Sequence, residues 1–128
     1  ILTGCAIRII APYDPITDAK VSDLQENVIV KFTEWERKIP PIQDEYKFYD
    51  HTDAVLEMLI ARNKNIKKSE IVVQMLEKTQ ANVHIIKNLH QQNELSIAVI
   101  KEVKPDIMAQ FNAIQAFLMA LKKSERTN

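Results

Sequence analysis

The residues of this chain that could most readily carry chemistry stand at its first positions, in the stretch Leu2-Thr3-Gly4-Cys5. Cys5 is the only cysteine in 128 residues, and Gly4 is the only glycine. A thiol is the most nucleophilic of the ordinary side chains, and the small residues before it leave the backbone open to a peptidase. The alternative interpretation is a lone buried cysteine that packs as a small apolar residue.

This stretch resembles the lipobox of bacterial lipoproteins, in which an aliphatic residue, a small residue and Gly or Ala precede a cysteine that takes a diacylglycerol as a thioether. The resemblance implies that Leu2, Thr3 and Gly4 belong to a signal-peptide remnant over residues 1–4. It also implies that Cys5 is the lipidated residue of a tether over residues 5–13. Ala6, which stands where an Asp would favour the inner membrane, implies a protein anchored in the outer membrane and facing the periplasm.

The histidines and acidic residues form no recognised catalytic or metal motif. His51, His84 and His90 occur in neither a Glu-x-x-His nor a His-Glu-x-x-His sequence, which excludes the di-iron bundle and zinc-protease patterns. We interpret them as surface or helix-end residues. One cluster consists of Asp50, His51, Asp53 and Glu57. It could coordinate a metal with help from another helix, although the preferred interpretation is that these residues form the solvated face of their own helix.

A thiol enzyme would need a base beside Cys5. The cysteine lies outside the predicted helical body, and no base accompanies it in the sequence. We therefore expect a protein that is not an enzyme and that holds no cofactor and no metal.

Composition excludes further classes of function. The chain has 17 acidic and 17 basic residues, so no net basic field favours nucleic acid or an anionic membrane surface. One cysteine cannot form an internal disulfide, and no apolar run approaches the roughly 18 residues that span a bilayer. The near absence of glycine excludes phosphate-binding loops and disfavours a β-rich fold.

Hydrophobic spacing predicts four amphipathic helices. Asp14 takes the N-cap position of the first helix, Pro15 its first position, and Pro40-Pro41 ends it. Its apolar stripe consists of Val21, Leu24, Val28, Phe32 and Trp35. The second helix covers residues 42–62 and ends at Asn63-Lys64-Asn65, because Asn tolerates the left-handed conformation. Its apolar face consists of Tyr46, Tyr49, Val55, Leu56 and Leu59.

The third helix begins at the N-cap Ser69 and ends near Gln91-Gln92-Asn93. In the last segment Ser96 caps a short stretch, and Pro105 breaks or kinks the helix. The stripe beyond it has a coiled-coil-like spacing and consists of Ile107, Phe111, Ile114, Leu118 and Leu121. Short connections then predict an all-α, antiparallel four-helix bundle over residues 14–123, followed by a frayed tail over residues 124–128.

Two groups of side chains remain open to a binding role. The first flanks the Pro40-Pro41 corner and consists of Trp35, Tyr46, Phe48 and Tyr49. These side chains would line a ligand groove unless they pack into the core, and core packing is the preferred interpretation. The second is a basic stretch that would contact lipid phosphates or, as we prefer, compensate a helix dipole: Arg62, Lys64, Lys67 and Lys68.

Beyond the lipobox, Tyr13-Asp14-Pro15-Ile16-Thr17-Asp18, Phe48-Tyr49-Asp50 and Leu89-His90 are similar to segments of a group of small bacterial lipoproteins that has no assigned activity. This resemblance covers most of the chain after Cys5 and implies an all-α, membrane-anchored envelope protein. Such proteins often place a glycine after the third helix, and this chain has none there.

The sequence thus predicts a bacterial envelope lipoprotein, anchored through Cys5, whose helical body is a non-catalytic interaction module for another envelope protein. One alternative is a periplasmic protein that binds a small apolar ligand between its helices. Another is a soluble adaptor that oligomerises through the last helix, whose apolar arc is widened by Met108, Phe111, Phe117 and Met119.

Overall fold

The computed structural model describes residues 11–127, and these residues form four α-helices and no strand. The helices are α1 (Pro15–Trp35), α2 (Tyr46–Lys64), α3 (Glu70–Gln91) and α4 (Ile97–Thr127), with a short 3₁₀ turn at Ile42–Asp44 before α2. The predicted all-α bundle is therefore confirmed. α1 ends at Trp35, before the Pro40-Pro41 pair that was expected to end it.

The helices pack antiparallel, as their cross-helix hydrogen bonds demonstrate. Along α1 and α4, Gln25 Nε2 lies 2.8 Å from Asn112 Oδ1, and Lys104 Nζ lies 2.7 Å from Glu36 Oε1. Residue numbers therefore rise along one helix as they fall along the other. α1 packs against α2 and α4, and α3 packs against the same two helices, so the four helices surround one core.

The apolar stripes predicted for α1 and α4 lie in that core. Every stripe residue of α1 is at most 1% exposed, and those of α4 are at most 4% exposed. Burial of large apolar side chains at helical spacing is the main favourable contribution to the stability of such a bundle.

The predicted face of α2 is partly wrong. Tyr46 is 39% exposed, whereas the polar residues Thr52 and Asn63 are buried. Asn63 lies inside the helix, because its side-chain amide donates to Thr17 Oγ1 at 3.0 Å and to the Leu59 carbonyl at 2.9 Å. These bonds satisfy a polar group in the core. The left-handed residue of this connection is Lys68, with φ 66°, rather than an asparagine.

α4 continues through Pro105 as one helix, so of the two outcomes predicted at this residue, a kink or a break, the break does not occur. Proline removes the N–H that would bond the carbonyl of Lys101. Both side chains are exposed, so water can satisfy that carbonyl. Ile100 and Ile107, on either side, are buried and hold the helix against the core. The helix also reaches Thr127, so the tail expected over residues 124–128 is helical to that point.

In the turn after α3, where similar proteins often have a glycine, the left-handed residue is Asn93, whose φ is 58°. Its N–H donates to the His90 carbonyl, and the Glu94 N–H donates to the Leu89 carbonyl at 2.8 Å. This pair of bonds is a Schellman motif, in which asparagine is the usual substitute for glycine. Ser96 caps α4 as predicted, with Oγ accepting from the Val99 N–H at 3.2 Å.

Candidate functional site

The predicted lipidation site, Cys5 with Leu2, Thr3 and Gly4, lies outside the described residues, as does most of the predicted tether. The described chain begins at Ala11, which is buried in the core at 5% exposure. Six residue steps separate Cys5 from Ala11, and such a segment spans at most about 20 Å. A lipid on Cys5 would therefore be attached within that distance of the part of the bundle that receives Ala11.

Tyr13 fastens this entering segment to two helices. Its backbone N–H donates to the Glu125 carboxylate near the end of α4. Its hydroxyl donates to Asp18 Oδ2 at 2.6 Å in the first turn of α1, and this hydrogen bond raises the pKa of Tyr13. The Lys122 ammonium lies 5.6 Å from the ring centroid, a cation–π contact.

Asp14 links the same segment to the end of α2. Arg62 binds its carboxylate with two parallel bonds, Nε to Oδ2 at 2.7 Å and a terminal nitrogen to Oδ1 at 3.0 Å. The Thr17 hydroxyl donates to Oδ2 at 2.6 Å. Asp14 occupies the N-cap position of α1. The Arg62 guanidinium, helped by Thr17, lowers the pKa of Asp14 to about 2, although partial burial acts in the opposite direction.

This pair makes a pH-dependent contribution to stability. The pKa of Asp14 falls from 3.8 to about 2 on folding, so the stabilisation is present above pH 4 and is lost as the pH falls towards 2. We expect Asp14→Asn to lower the free energy of unfolding at pH 7 by about 1–2 kcal/mol, allowing for the solvent exposure of Arg62.

Urea denaturation followed by circular dichroism at pH 7 and at pH 2 measures this effect. The difference between Asp14→Asn and wild type should shrink at the lower pH. The matched control is Asp23→Asn on the exposed face of α1, which should leave stability unchanged within about 0.5 kcal/mol at both values. An equal loss at both pH values would contradict the assigned role of the carboxylate.

These contacts define what we call the tether end of the bundle, which consists of residues 13–18, 62–71 and 121–125. It brings together the start of α1, the end of α2, the α2–α3 loop, the start of α3 and the end of α4. Sequence reasoning singled out its basic stretch but could not place Asp14 against Arg62, because 48 residues separate the two partners.

The aromatic residues that were candidates for a groove pack mainly as core. Trp35 and Tyr49 are at most 1% exposed, with ring centroids 5.8 Å apart, and Phe48 packs edge-on to Trp35 at 5.5 Å. Tyr46 does not join them, because it is exposed and lies 5.9 Å below the Lys87 ammonium. The preferred core interpretation is therefore confirmed for Trp35 and Tyr49.

His90 belongs to this cluster. It lies in the last turn of α3, which agrees with its interpretation as a surface or helix-end residue, but it is not at the surface. It is 4% exposed, and its ring lies 5.1 Å from that of Trp35. Nε2 lies 2.7 Å from the Pro40 carbonyl oxygen, which can only accept, so we assign the ring proton to Nε2. Nδ1 then accepts from the Tyr49 hydroxyl at 2.9 Å. Burial raises the pKa of Tyr49 and keeps that hydroxyl protonated.

The spacing of α3 contained a signal for this buried histidine. Val83, Ile86 and His90 follow one another at intervals of three and four residues, the spacing of a single helix face. The bonds to Tyr49 and Pro40 occupy both ring nitrogens, so His90 holds the α1–α2 corner against α3.

Within the acidic cluster on α2, Asp53 and Glu57 form hydrogen bonds with α3. Asp53 Oδ1 lies 2.6 Å from His84 Nε2, and Gln80 donates its amide to both Asp53 and Glu57. Between residues 11 and 127, no three His, Cys, Asp or Glu side chains lie close enough to hold a metal ion. The arrangement is a polar bridge between two helices, and His51 takes no part in it.

One apolar groove opens between α3 and α4, with a volume of about 280 Å³. Its apolar walls include Ile85, which is 56% exposed, and Val103 and Ile107 from α4. The polar side chains that also line it are Asn82, Asp106 and Gln110. Small-molecule sites usually have volumes of about 300–1,000 Å³, so this groove lies at the lower limit of that range.

In the helices that the structure describes, no segment has the length and apolar character to cross a membrane. No family model, no curated protein and no solved structure gives a significant match to this chain.

Proposed function

We propose that this protein is a bacterial envelope lipoprotein, anchored in the outer membrane through an acylated Cys5, whose helical body binds another envelope protein without catalysis. The observation that carries the proposal is the lipobox-like Leu2-Thr3-Gly4-Cys5 stretch. The fixed entry of the chain into the bundle supports it, because Ala11 is buried and Tyr13 bonds two helices. A lipid within about 20 Å of Ala11 would keep the body near the membrane surface.

A non-catalytic body is supported by the state of the buried histidine, His90. Both nitrogens of His90 are bonded, and the ring is sealed in the core. An interaction role is supported by exposed apolar side chains on the helix surfaces, among them Val30 at 53%, Met58 at 48% and Ile85 at 56% exposure. Side chains of this kind supply contact area at protein interfaces.

Incorporation of radiolabelled palmitate tests the anchor directly. The full gene is expressed in a bacterium grown with the label, beside Cys5→Ser and Ala6→Ser variants. Wild type and Ala6→Ser should carry label, whereas Cys5→Ser should carry none, because a hydroxyl does not replace the thiolate as the nucleophile. Label that persists in Cys5→Ser, or its absence from wild type, would refute acylation at this residue.

The α3–α4 groove favours a second candidate, a periplasmic protein that binds a small apolar ligand. The apolar part of its lining, with Ile85, Val103 and Ile107, could contact an acyl chain, and Asn82, Asp106 and Gln110 line it as well. Native mass spectrometry of the purified protein separates the two functions. A bound lipid in stoichiometric amount supports ligand binding, and an empty chain supports the interaction module.

The third function, oligomerisation through α4, has less support. Phe111 is 0% exposed and Phe117 is partly buried in the protein's own core, so the apolar arc available to a second copy is reduced mainly to Met119, at 46% exposure. Analytical ultracentrifugation should give a monomer.

A further inference from the structure

The charges of the tether end are not balanced, although the chain as a whole is neutral. Its cationic side chains are Arg62, Lys64, Lys67, Lys68, Lys122 and Lys123. Its carboxylates are Asp14, Asp18, Glu70 and Glu125. Overall neutrality, from which we excluded an anionic membrane surface, is therefore an average over regions of different charge.

The contacts of these groups leave this net excess of positive charge unchanged and determine which charges stay unpaired. Asp14 is neutralised by Arg62, and Asp18 and Glu125 accept hydrogen bonds from Tyr13. Four exposed lysines have no ion pair with any residue in the described part of the chain: Lys64, Lys67, Lys68 and Lys123. Their positive field therefore extends into solvent.

The backbone of the α2–α3 loop presents two of these lysines. Lys68 has φ 66°, a left-handed conformation that is uncommon for residues other than glycine, asparagine and aspartate. It directs the chain so that Ser69 is buried, with its N–H on the Ile66 carbonyl, while Lys67 and Lys68 stay exposed.

Exposed isoleucines accompany the lysines. Ile16, in the first turn of α1, is 49% exposed, and Ile71, in the first turn of α3, is 53% exposed. A third isoleucine, Ile66, lies in the α2–α3 loop and is half-buried. Branched apolar side chains among lysines are typical of protein surfaces that lie at the boundary between lipid headgroups and acyl chains.

We propose that the tether end docks directly on an anionic phospholipid surface. Lys64, Lys67 and Lys68 contact the headgroup phosphates, and Ile16 and Ile71 enter the interface. Charge complementarity and continuity with the anchor select this occupant, since a lipid on Cys5 holds this end, rather than the α1–α2 corner, against the bilayer. The placement of the lipid at this end rests on the proposed function. Docking adds to that function the orientation of the helical body on the membrane and the charge of the lipid that it contacts.

The test uses the full chain with Cys5→Ser, so that any binding comes from the body alone. Vesicles of one part phosphatidylglycerol to three parts phosphatidylcholine are sedimented with the protein in 0.1 M NaCl, beside vesicles of pure phosphatidylcholine. The protein should bind the anionic vesicles more strongly. The triple variant Lys64→Gln/Lys67→Gln/Lys68→Gln should bind them about 100-fold more weakly, which corresponds to about 1 kcal/mol for each lysine near such a surface.

The matched control removes three exposed cations at the opposite end of the bundle, with Arg37→Gln/Lys38→Gln/Lys47→Gln. It should reduce binding less than about threefold, because these groups would lie beyond a Debye length from the membrane. Equal losses in the two triple variants, or equal binding to both kinds of vesicle, would overturn the proposal. Acylation is read separately from the palmitate label, so a labelled protein whose body does not prefer anionic vesicles would lose the docking surface and keep the anchor.

Discussion

Replacement of Trp35 by alanine should lower the free energy of unfolding by about 3–5 kcal/mol. The indole is fully buried and contacts rings from three directions, with centroid distances of 5.4 Å to Phe32, 5.5 Å to Phe48 and 5.1 Å to His90. Its removal leaves a cavity at the junction of α1, α2 and α3, which a closely packed interior cannot fill. Urea denaturation followed by circular dichroism measures the loss.

Two further variants separate the cavity from other effects. Val30→Ala, on the exposed side of the same helix at 53% exposure, should change stability by less than about 0.5 kcal/mol. Trp35→Phe should cost less than Trp35→Ala, because it leaves a smaller cavity and also removes the indole N–H, which has no hydrogen-bond partner. A loss below 1 kcal/mol for Trp35→Ala would contradict a close-packed junction at this corner.

Replacement of His90 by leucine should lower the free energy of unfolding by about 2–4 kcal/mol, although leucine is the more hydrophobic residue. The substitution leaves the Tyr49 hydroxyl and the Pro40 carbonyl without the partners that they have at 2.9 and 2.7 Å. Buried polar groups that lose a partner incur the full cost of their desolvation. Chemical denaturation at pH 7 measures the change.

A double-mutant cycle with Tyr49→Phe isolates the bond between the two side chains. If Tyr49 donates to Nδ1, the variant Tyr49→Phe/His90→Leu should be more stable than the sum of the two single losses predicts, by about 1 kcal/mol. Strict additivity would mean that the two side chains do not share this hydrogen bond.

The parts of the fold that follow from helical spacing could be predicted from the sequence. The stripes that run from Val21 to Trp35 and from Ile107 to Leu121 are regular because only apolar residues occupy them. Apolar spacing does not reveal the core positions that polar residues occupy, as Thr52 and Asn63 do. The burial of Asn63 and of His90 depends on the partners Thr17 and Tyr49 from other helices, which a local pattern does not contain.

Pro105 and the tether end illustrate two other limits. Proline disfavours a helix locally, but burial of Ile100 and Ile107 on both sides outweighs that preference. The residues of the tether end are distant in sequence, and only the antiparallel packing brings Arg62 to Asp14 and Lys122 to Tyr13. The charge imbalance at this end is a property of the fold, and the neutral composition conceals it.

The most direct test of the proposed anchor is the intact mass of the protein isolated from membranes of a bacterium that expresses the full gene. The account predicts a chain that begins at Cys5 and carries the added mass of a diacylglycerol, with or without a further acyl group. An unmodified chain that retains Leu2-Thr3-Gly4 before Cys5 would contradict it, and the helical body would then have to be explained without a lipid.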